Sequence, residues 1–72
     1  MSHAKDLGKN LYRLRKSKGL TQEKAAEQCD TSPRHFQDLE KGIVNPHLDE
    51  LFKLAEGMQV DMNTLTQPSA PE

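Results

Sequence analysis

Tryptophan is absent from the chain, and aromatics make up only 4% of its 72 residues. A core must therefore come mainly from leucine, alanine and a few methionines. Apolar residues total 33%, enough for one small domain but hardly enough to enclose a catalytic cleft of about 300 Å³ or more. Cysteine occurs once, at Cys29, which excludes an intrachain disulfide. No segment approaches the roughly 18 consecutive apolar residues of a membrane span, and residues 1–15 lack the apolar stretch of a signal peptide. Together these absences point to a cytoplasmic binding module with a reduced, buried cysteine and no membrane partner.

A large excess of either charge is also missing, since the net charge is −1. Its distribution is nevertheless uneven. Residues 1–42 hold nine Lys/Arg against six Asp/Glu, or +3, whereas residues 43–72 hold one lysine against five acids, or −4. A basic front and an acidic rear follow.

What the chain does contain is helical periodicity. Leu7, Leu11 and Leu14 recur on one stripe of a first helix over about 5–18, with Lys9, Arg13 and Lys16 on the opposite, solvated stripe. Gly19 suits that helix's left-handed end. Thr21 caps a second helix over about 21–29, with Glu23 in its first turn and Leu20 packing back on Ala25. Asp30 stands in the turn. Ser32 caps a third helix over about 32–41, Pro33 occupies its first position and Gly42 closes it. Leu48, Leu51, Phe52, Ala55 and Met58 mark the inner face of a fourth helix over about 47–58. Asp61 can cap a short fifth helix carrying Met62 and Leu65. Residues 1–66 form one domain on this reading, and residues 67–72, with two prolines, form a disordered tail. The fold class is all-α, a compact five-helix bundle, and the closely spaced second and third helices cross steeply.

The ordered set Gln22, Ala26, Ser32, Leu39-Glu40-x-Gly42, Pro46 and Ala55 resembles the Cro/C1-type (Xre-like) helix-turn-helix repressors, over about residues 7–66. The resemblance implies a lambda-repressor-like domain that binds double-stranded DNA as a homodimer on a palindromic operator. It implies that Gln22 grips the DNA backbone, and that the third helix lies in the major groove. Ser32, Pro33, Arg34 and Asp38 match positions that contact bases or nearby phosphates. Arg15 and Glu40 match an ion pair tying the first helix to the third. Asp30, Ala25 and Gln59 depart from the family's pattern, the first and last replacing glycines.

The helical wheel points the same way without the family. With Phe36 and Leu39 turned inward, Arg34, Asp38 and Lys41 fall opposite them, and Gln37 flanks. Arg34 can offer two parallel donors to guanine, and Gln37 an amide to adenine or a phosphate. Asp38 is repelled by phosphates, so it orients Arg34 one turn earlier, accepts from cytosine N4, or marks an altered function. The last possibility keeps a second reading open, a protein-interaction module of antitoxin or adaptor type. His3, His35, His47 and Cys29 match no metal-ligand spacing, and no nucleophile–base pair is visible. No enzyme activity, metal, cofactor or small-molecule ligand is expected.

Overall fold

The computed structural model describes residues 3–69. Five helices follow one another: α1 (His3–Ser17), α2 (Gln22–Gln28), α3 (Pro33–Lys41), α4 (Leu48–Met58) and α5 (Met62–Thr66). The fold is all-α. Local chemistry sets most of the boundaries. Thr21, Ser32 and Asp61 each accept a hydrogen bond from the backbone amide three residues on, in Lys24, His35 and Thr64 respectively. These caps satisfy amides that a helix start leaves without partners. Gly42 ends α3 at φ 76°, where a side chain would be strained. Asp30 (φ 57°) and Gln59 (φ 61°) take the same left-handed conformation without being glycine, at a cost of about 1 kcal/mol each.

Leu7 and Leu11 of α1, Ala25, Ala26 and Cys29 of the α2 segment, and Phe36 and Leu39 of α3 form one buried cluster with Leu54, Ala55, Met58 and Leu65. Full burial of a side chain such as Phe36 or Leu39 contributes about 2 kcal/mol. Burial raises the Cys29 thiol to about 11, which keeps it protonated and unreactive. Contact between α1 and α3 is unusually close. A Cβ built at Gly8 would lie 2.6 Å from the carbonyl oxygen of Glu40 and 2.7 Å from that of Leu39. Glycine at that place lets α1 lie directly on the end of α3.

Two expectations need correction. First, α1 begins at His3, two residues before the expected start, and Ala4 joins the core. Second, α4 is rotated relative to the expected face. Its buried residues are Leu54, Ala55 and Met58, with Leu51 half-buried, while Leu48 is 61% exposed and Phe52 55%. Both stripes are apolar at helical spacing. Packing against the rest of the core selects the one that contains Leu54.

The chain returns to α1 at its end. Asn10 Nδ2, buried, donates to the carbonyls of Leu65 and Gln67, both at 2.8 Å. Ser69 Oγ donates to Asp6 Oδ1 at 3.0 Å. Residues 70–72, the rest of the segment expected to be a disordered tail, lie outside the described residues. Among the described residues, no helix is long and apolar enough to cross a membrane.

Candidate functional site

Three elements converge on Glu40, near the end of α3. Its Oε2 accepts from Arg15 Nε at 2.7 Å, and its Oε1 accepts from Arg15 Nη2 at 3.3 Å and from Gln22 Nε2 at 2.9 Å. Arg15 Nη1 donates in turn to the carbonyl of Leu20 at 2.9 Å. The two charged side chains retain only 10% and 6% exposure. A bidentate pair of this kind fixes angle as well as distance. It locks α1, the start of α2 and the end of α3 into one body.

Gln22 is therefore more than a surface donor. One hydrogen of its Nε2 is held by Glu40, which orients the amide and leaves its other hydrogen and its carbonyl oxygen for an outside partner. Beside it lies an open recess lined by Tyr12, Gln22, Gln37, Glu40 and Lys41. Three candidate residues from two helices thus share one surface. Tyr12 was not foreseen there. It stands 49% exposed with the Arg15 guanidinium 5.4 Å and the Lys16 ammonium 5.9 Å from its ring centre. The signal was faint: an aromatic next to basic residues in a chain with almost no aromatics.

At the opposite end of α3 the N-terminal turn is open. Ser32, Pro33 and Arg34 are exposed. The Ser32 hydroxyl accepts from the His35 amide at 3.1 Å, so its own hydrogen stays free to donate. Arg34 Nε lies 3.8 Å from Asp38 Oδ2, one turn along the same edge. Gln37 and Asp38 are half-buried, and Lys41 is exposed at the far end.

His35 turns toward α4. Its Nε2 is buried and stands 2.5 Å from Glu50 Oε2, with no other partner. The contact is an ion pair when the imidazole is protonated. Only the fold brings Glu50 to His35. α3 is thus tied to α1 through Glu40, while His35 on its other flank faces Glu50 of α4. Its outer edge is left polar and uncovered.

Comparison with known proteins agrees with this architecture. The helix-turn-helix family HTH_3 matches residues 11–65. An uncharacterised HTH-type transcriptional regulator of Sinorhizobium fredii, y4dJ, is 36% identical over 69 residues, covering 96% of this chain and 90% of that protein. Among solved structures, the hypothetical transcription factor NHTF from Neisseria superposes with a TM-score of 0.85 at 28% identity, covering 90% of this chain and 75% of the other. The restriction-modification controller protein C.AhdI from Aeromonas hydrophila gives a TM-score of 0.83 at 28% identity, covering 90% and 98%.

Proposed function

The chain belongs to the HTH_3 helix-turn-helix family of DNA-binding transcriptional regulators, and from that premise we propose that it is a sequence-specific repressor binding a palindromic operator as a homodimer. Each copy inserts α3 in the major groove, with the two grooves about 34 Å apart. The observation that carries this reading is the outer edge of α3: polar, uncovered and held from behind by the bidentate Arg15–Glu40 pair. Rigid backing matters because base discrimination depends on donors held in a fixed register.

The roles divide along α3. Arg34 reads guanine through two parallel donors, and Gln37 reads a neighbouring base or grips a phosphate. Ser32, Gln22, Tyr12 and Lys41 hold the backbone on either side, joined by the free amides at the starts of α2 and α3. Pro33 contributes shape rather than a donor. One module offers too few base contacts for useful discrimination, which is the physical reason for two half-sites. The exposed apolar side chains Leu48 and Phe52 of α4 supply surface for the second copy. The reading is of a binding protein, without catalysis, cofactor or small-molecule ligand.

The test is selection of bound sites from a random duplex library, followed by a salt series on the selected site. A palindrome is expected, with affinity falling steeply as salt rises because several phosphates are neutralised. Absence of binding to any duplex at low salt would sink the reading and leave the protein-interaction module in its place.

A further inference from the structure

We infer that Asp38 is a positioning residue that sets Arg34 for guanine and keeps it off the phosphates, an inference that rests on the DNA reading above. An acid in the middle of a groove-facing edge is costly for a protein that relies on phosphate attraction alone. Two features of its setting give it another use. Asp38 retains 23% exposure while Arg34, one turn before it, retains 84%. The carboxylate therefore sits back against the helix, and the guanidinium reaches out past it. The first group to meet a base edge is the arginine tip.

The second feature is the atom engaged. Asp38 Oδ2 faces Arg34 Nε at 3.8 Å, not a terminal nitrogen. Nε is the donor that an end-on approach to guanine does not need. Nη1 and Nη2 remain as a parallel pair with the spacing of guanine O6 and N7. Left alone, a side chain this exposed and flexible would swing to any phosphate within reach and add affinity without selectivity. A carboxylate at its base opposes that swing by attracting Nε and repelling the phosphate.

In water the pair is weak, being exposed and having the base N-terminal to the acid along the helix. It gains strength when the groove excludes water around it. Affinity and selectivity should then respond to Asp38 in opposite directions. A residue that merely supported the fold would not produce that pattern.

The experiment compares the wild type with Asp38→Asn, Asp38→Ala, Arg34→Ala and the Arg34→Ala/Asp38→Asn double variant. Binding is measured to the selected site, to its single base-pair variants and to random duplex. Asp38→Asn is expected to bind random duplex roughly two- to ten-fold more tightly at fixed salt. Its preference for the guanine read by Arg34 should fall about ten-fold. In the Arg34→Ala background the same substitution should leave base preference unchanged, because Asp38 acts through Arg34. An undiminished guanine preference in both Asp38 variants overturns the inference while leaving the DNA reading intact. Loss of preference at a different base pair, persisting without Arg34, also overturns it and makes Asp38 a reader of cytosine N4. A wild-type chain that selects no site overturns both.

Discussion

The front and the rear of the molecule are built by different means. In the front, α1, α2 and α3 are joined by polar bonds of fixed geometry centred on Glu40, and the edge that remains outside is polar. In the rear, α4 and α5 are held mainly by Leu54, Ala55, Met58 and Leu65 in the core, and α4 leaves Leu48 and Phe52 outside. Apolar packing tolerates small slides, whereas a bidentate ion pair does not. The half proposed to read bases thus has the directional fastening. The half with an apolar edge is suited to another protein surface.

The largest test of that contrast is Glu40→Ala. Removing it strands the nearly buried Arg15, at a cost of about 3 kcal/mol. For a chain of this size that corresponds to a fall in melting temperature of roughly 10 °C or more. Glu23→Ala, at an exposed position of α2, should stay within about 0.5 kcal/mol of the wild type. Equal melting temperatures for the two variants would mean that the front is not held by its ion pair.

A smaller effect is expected in the rear. Leu48→Ser with Phe52→Ser should leave the melting temperature of the monomer nearly unchanged, since both side chains are already largely exposed. The proposed dimer should weaken by about 1–2 kcal/mol, near ten-fold, in a sedimentation series. A dimer that survives at full strength uses some other surface.

The smallest effect separates the two kinds of helix cap. Ser32 does not titrate. Asp61 does, and hydrogen bonds from Thr64, first from its side chain and then from its backbone amide, hold its carboxyl below the ordinary carboxylate value. The ionised form is thus favoured by folding. Its contribution is fully present above about pH 4 and fades as pH falls through the lowered folded value. Acid should therefore lower the exchange protection of the capped Thr64 amide, at the start of α5, below its value at neutral pH. Asp61→Asn, which keeps a capping oxygen without the charge, should remove that difference. Persistence of the acid-induced loss in the variant would assign it to another group.

Legibility in the sequence followed the same division. The limits of α2 and α3 could be read from Thr21, Ser32, Pro33 and Gly42, because caps and breakers act within one turn of themselves. The inward stripe of α1 was equally plain, having leucines on one side and cations on the other. In α4 the pattern misled. Leu48 and Phe52 sit on one apolar stripe and Leu54 on another, and local spacing has no means of ranking them. Nothing in the local sequence marks Asn10, whose amide donates to Leu65 and Gln67 only because the chain end returns to it. Gly8 carried a readable signal, since glycine inside a helix is disfavoured unless something must come close. The pairing of His35 with Glu50 carried none, for neither residue type requires the other.

The number of helices, their order, the turn between α2 and α3 and the polar edge of α3 follow from chain chemistry acting over one or two turns. Contacts between distant residues decided which face α4 buries, what binds His35, how Gln22 is oriented and where the chain end is fastened. Such contacts are chosen by packing and by the pairing of buried polar groups, which depend on every neighbour at once and leave no periodic trace along the chain.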